Sequence, residues 1–136
     1  MATSTYPAEF SMYSNVDSAV AIALILHRAT RGALKQGPFI RDVSQLLYRL
    51  RERGIRFRDL GLRRIPDGFY SEDVETFVGQ LLSMGYATQR SPIRLKEKGV
   101  ALCEEIVKEE TERNKDEVEK LGKVVDEELS TLAASA

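Results

Sequence analysis

Residues 19–26 read AVAIALIL, a segment apolar around nearly the whole circumference of a helix. A surface helix needs an apolar stripe on one side only. One that is apolar all round has to be covered on several sides, by its own chain or by a second copy. The chain must therefore build around this helix, which is expected to start near Asn15 or Asp17, either a fair N-cap, and to run to about Arg31. Eight apolar residues fall well short of the ~18 that span a bilayer. No basic start followed by an apolar block is visible in the first fifteen residues, so no secretory leader is expected. A single cysteine, Cys103, rules out an intramolecular disulfide and suits a reducing interior. The expectation is a cytoplasmic protein that does not enter a membrane.

Downstream, Gly32 to Gly37 marks a connection and Pro38 suits the first turn of a second helix. Phe39, Val43, Leu46, Leu47 and Leu50 carry its apolar stripe, Arg41, Arg49, Arg51 and Arg53 its outer face, and Gly54 its end. In the connector 55–70, Ile55 and Phe57 alternate with Arg56 and Arg58 like a short strand that can pair with a later hairpin. Pro66-Asp67-Gly68 is a turn signal.

The stretch 70–99, YSEDVETFVGQLLSMGYATQRSPIRLKEKG, has the most specific local grammar. Ser71 is an N-cap, and Glu72, Asp73 and Glu75 put negative charge where the helix dipole favours it. Val74, Phe77, Val78, Leu81 and Met84 form an apolar face, and Gly85 ends the helix. Tyr86 to Gln89 and Ile93 to Leu95 read as two short strands turned around Ser91-Pro92.

This order resembles the recognition helix and wing of a winged helix-turn-helix domain, as found in archaeal-type regulators and chromatin-associated proteins that add a C-terminal dimerisation helix. Such proteins often follow the wing with Leu-Thr-x-x-Gly; here Leu95-Lys96-Glu97-Lys98-Gly99 lacks the threonine cap. LLYRLRERGI followed by GFYSEDVE is also similar, over a short span, to antitoxin-associated Panacea-type domains. The resemblance implies a mainly α fold with a small β-hairpin wing. The domains would be an N-terminal arm over 1–14, a winged-helix domain over 15–99 and a long C-terminal helix over 100–136. It further implies a transcription regulator or chromatin-associated factor that docks on double-stranded DNA. Thr76, Gln80 and Ser83 would face base edges or phosphates, and Arg63, Arg64, Arg90 and Arg94 would neutralise phosphates.

From Val100 the chain reads as helix nearly to its end. A heptad register fits, with Val107, Asn114, Leu121 and Glu128 at a and Thr111, Val118, Val125 and Leu132 at d. Asn114, Val118, Leu121, Val125 and Leu132 are thus the expected seam of a homodimeric coiled coil. The apolar first helix is a second candidate contact, and a helix folded back on its own domain is the alternative.

Charge is divided along the chain. Residues 28–64 hold eleven Lys/Arg against three acids, and residues 96–136 hold seven against twelve. The basic middle suggests a polyanion partner, or arginines that pair with acids elsewhere in the protein. Two features weigh against DNA at the third helix: its outer face carries no Lys or Arg, and its first turn carries three acids. A winged-helix scaffold that binds protein and no DNA is therefore the competing expectation. Nucleotide loops, Cys-x-x-Cys and His-Glu-x-x-His are missing from the sequence, and the lone His27 has no second histidine to join it. No enzyme, metal or cofactor is expected, and Cys103 is read as a buried, inert thiol.

Overall fold

The computed structural model describes residues 15–34 and 36–135. The arm expected over 1–14 lies outside the described residues. Helix α1 (Ser18–Arg28) is the centre of the molecule. Val20 to Leu26 are at most 4% exposed, and α1 is packed by the four later helices introduced below. The chain's own elements therefore supply the cover that AVAIALIL demands. Asp17 occupies the N-cap position, its carbonyl accepting the Val20 and Ala21 N–H groups, without a capping bond from its side chain. Its carboxylate instead holds Arg58 at 2.8 Å, while the Ser18 N–H donates to Asp59 across 3.0 Å. Past Arg28 the helix widens into a π turn (Ala29–Ala33), closed by the Leu34 N–H on the Ala29 carbonyl.

Gly37 has φ +95, and a Cβ there would meet the Ile93 carbonyl oxygen. The Pro38 carbonyl accepts the Ile93 N–H at 2.8 Å, so this loop is stitched to the later hairpin. Helix α2 (Ile40–Glu52) starts two residues after Pro38, its first turn closed by the Asp42 carboxylate on the Phe39 N–H. Val43, Leu47 and Leu50 are fully buried, and Gly54 (φ +96) ends the helix as expected.

The connector is more structured than its sequence suggests. Strand β1 (Asn15–Val16) pairs in parallel with β2 (Arg56–Phe57). The expected pairing of residues 55–57 with the wing is thus corrected: Arg58–Asp17 and Ser18–Asp59 fasten this segment to the start of α1. Next, β3 (Arg63–Ile65) and β4 (Gly68–Tyr70) form an antiparallel hairpin around the Pro66-Asp67 turn.

Helix α3 (Glu72–Ser83) is capped by Ser71, whose hydroxyl accepts the Asp73 N–H. Val74, Val78 and Leu81 are buried, and Gly85 (φ +77) follows the helix. Met84, expected on the apolar face, is 54% exposed because it is the C-cap residue, beyond the last packed turn. The hairpin β5 (Ala87–Arg90) and β6 (Ile93–Leu95) follows as expected. Gly99 is required at the next junction, where a Cβ would collide with the Tyr86 carbonyl oxygen.

The single long C-terminal helix is corrected. Helix α4 (Glu97–Arg113) stops at Asn114, whose φ −140 and ψ 60 are not helical, and α5 (Lys115–Ser135) turns back. The Asn114 amide donates to the Glu110 carboxylate, which also takes Arg113 at 2.8 Å. Of the expected dimer seam, Val118 is 8% exposed and Leu121 and Val125 not at all, within one chain. Leu132 is partly buried against the same core. The heptad positions are occupied by α1, α2 and α4, because residues 118, 121, 125, 129 and 132 also fit the 3.6-residue stripe of a helix packed on its own domain.

Candidate nucleic-acid interface

The basic middle of the chain splits into two sets of arginines. Arg28 pairs with Asp126 at 2.6 Å, Arg49 with Glu128 at 3.4 Å, and Arg53 with Glu127 and Glu128 at 2.6 and 3.1 Å. Arg58 pairs with Asp17 and Arg41 with Asp67. The acidic C-terminal arm thus neutralises part of the basic segment within the same chain. Among the described residues, Arg51, Arg56, Arg63, Arg64 and Arg94 have no carboxylate at ion-pair distance, and all five are exposed.

Two of these five stand on the β3–β4 hairpin. The Arg63 guanidinium lies 5.1 Å above the Tyr70 ring and that of Arg64 lies 5.4 Å above Phe69. Phe69 in turn stacks on Tyr48 of α2, with ring centres 3.8 Å apart and planes 14° from parallel. An arginine laid on an aromatic face is held by cation–π attraction and keeps its edge N–H groups for a bidentate acceptor such as phosphate. The aromatic layer works as a bracket that orients two free cations.

A chain of contacts ties this hairpin to α3 and the wing. The Tyr70 hydroxyl donates to Glu75, and that bond, with burial second, raises the tyrosine above its ordinary range. Glu75 also holds Arg90 at 2.5 Å. Arg90, expected to meet phosphate, is therefore already offset by an acid of α3. Arg94 is exposed on β6. On α3 itself Thr76, Gln80 and Ser83 are exposed, with open space in front of Gly79. The three acids at its start are less available than the sequence implies. Asp73 accepts the Gly61 N–H at 2.8 Å and Glu75 is shared between Tyr70 and Arg90, which leaves Glu72.

The expected site residues therefore fall into three environments. Arg63, Arg64 and Arg94 are free cations; Thr76, Gln80 and Ser83 form a neutral polar face; Arg90 is a structural ion pair. Sequence reasoning missed the Tyr48–Phe69–Arg64 stack, although aromatic and arginine residues facing each other across a Pro-Asp-Gly turn were its visible signal.

Among the described residues no cluster of His, Cys, Asp and Glu is able to hold a metal ion, and no helix is long and apolar enough to cross a membrane. Burial pushes the Cys103 thiol up to about 12, which suppresses its nucleophilic form. His27 Nε2 lies 3.4 Å from Glu104 without forming a hydrogen bond. No family model, curated protein or solved structure matches this chain.

Proposed function

We propose that the chain binds double-stranded DNA as a winged helix-turn-helix module, in the manner of a transcription regulator or chromatin-associated factor. The observation that carries the reading is the pair of stacked arginines Arg63 and Arg64, unpaired among the described residues, in a chain that also exposes Thr76, Gln80 and Ser83 on α3. In this account Arg63 and Arg64 take backbone phosphates, Arg94 adds a contact from the wing, and α3 presents short polar side chains to a groove. Because phosphate contacts dominate affinity, replacing Arg63 and Arg64 together by alanine weakens binding to random duplex far more than replacing Thr76 and Gln80. Fluorescence anisotropy with a labelled duplex measures this; equal affinity for the Arg63/Arg64 double variant and the unaltered chain would reject the assignment.

A second reading is a protein-binding scaffold with no affinity for DNA. It is favoured by one observation, the lack of any Lys or Arg along the exposed face of α3 together with the free carboxylate of Glu72. Undetectable duplex binding at low salt supports it.

A further inference from the structure

The free arginines Arg51 and Arg56 are not on the hairpin and belong to a different feature. A cavity of about 450 Å³ opens between the end of α2 and strand β2, lined by Arg51, Gly54, Ile55, Arg56, Phe57 and Leu60. Its volume is in the range typical of small-molecule sites. We propose that this cavity binds a small organic anion with a flat apolar body, the anionic group held by Arg51 and Arg56 and the body resting on Ile55, Phe57 and Leu60.

The arginines in this part of the chain differ in whether a carboxylate holds them. Arg49 and Arg53 are four residues apart, share one face of α2 and are held by Glu128 and Glu127 of α5. Arg51 lies ~200° around the helix from either of them, away from those acids. Arg58 is held by Asp17, whereas Arg56 has no carboxylate partner. Among the described arginines from Arg49 to Arg58, the two that line the cavity are thus the two without a carboxylate partner. Among the described residues no carboxylate lines the cavity. Carbonyls at the end of α2 are also engaged, since those of Arg49, Leu50 and Arg51 accept the N–H groups of Arg53, Ile55 and Gly54. An anion entering here meets two guanidinium forks and few opposing acceptors.

Apart from Gly54 and the two arginines, the described lining is apolar. Ile55 is 3% exposed, and Phe57 and Leu60 are partly buried against the core. A bare phosphate or a nucleic-acid backbone would leave that wall uncovered, whereas a flat hydrophobic body would bury it. At Gly54 (φ +96) an added Cβ would meet no described atom within 4 Å.

Amide NMR titration of the full ¹⁵N-labelled chain tests this with three probes: 2-naphthoate, which has both halves; acetate, which has only the charge; and 2-naphthalenemethanol, which has only the body. The expected result is saturable shifts at Gly54, Ile55 and Phe57 with 2-naphthoate, at an affinity about tenfold or more above either partial probe. Arg51→Gln or Arg56→Gln weakens that binding about tenfold, while Arg94→Gln leaves it unchanged. No saturable shift at these residues would overturn the proposal. So would acetate or 2-naphthalenemethanol binding as well as 2-naphthoate, or full retention of binding in both single variants. The outcome is independent of DNA binding, since Arg63, Arg64 and α3 are untouched.

Discussion

The Arg53 guanidinium lies 3.1 Å from the Glu128 carboxylate, across 75 positions of sequence. Glu128 is 8% exposed and also accepts from Arg49, so one acid of α5 binds two arginines of α2. The same contacts fold the C-terminal arm against the domain and withdraw positive charge from the surface. What remains of the basic middle is confined to the hairpin, the wing and the rim of one cavity.

Replacing Glu128 by glutamine removes the buried negative charge that Arg49 and Arg53 share, although Glu52 still holds Arg49 and Glu127 still holds Arg53. The expected outcome is a lower urea midpoint with an unchanged slope, since the unfolded chain is not altered in compactness. Duplex affinity is expected to rise slightly at low salt because two cations are partly released. Urea unfolding and anisotropy read the two effects separately.

Leu121→Ala separates a core role from a dimer seam. The side chain is fully buried within one chain, so truncation is expected to cost about 2–5 kcal/mol in chemical unfolding. Light scattering is expected to give the same mass before and after the change. A mass that halves on mutation would restore the coiled-coil reading.

Acid titration is expected to show the contribution of Glu110. Its hydrogen bond from Arg113, with a further one from Asn114, holds this carboxyl below its usual range in the folded chain. A depressed folded value means that the stabilisation is fully present above the unfolded value of roughly 4.3 and is lost as pH falls through the folded one. Glu110→Gln is expected to flatten this limb of stability against pH, measured by unfolding at a series of acid pH values.

Cys103 is expected to resist a disulfide reagent in the native chain. With the thiol pushed up to about 12, only ~10⁻⁴ of it is ionised at pH 8, and the thiolate is the attacking form. Stoichiometric, fast reaction is expected only in denaturant.

Local signals with a strict physical meaning were legible. Ser71 caps α3, Gly54 and Gly85 end their helices, and residues 20–26 are buried, as the apolar composition of 19–26 demands of all but its first residue. The break at Asn114 was not legible, because the apolar spacing of residues 107–132 suits a two-stranded seam and a helix packed on its own domain equally well. Only the position of α1 decides which surface fills the stripe. The candidate site was half legible for a similar reason. The presence of Arg63, Arg64, Arg90 and Arg94 can be read from the sequence, but their availability depends on distant acids. Glu75 engages Arg90, while no acid among the described residues reaches Arg63 or Arg64.

The most direct test of the DNA-binding account is the salt dependence of affinity for a random duplex, measured by fluorescence anisotropy for the unaltered chain and for Arg63→Ala/Arg64→Ala. The account predicts that log affinity falls linearly with log salt, and that the double variant shows a slope shallower by about 2, one for each lost phosphate contact. Affinity independent of salt, or an identical slope in the two proteins, would contradict it.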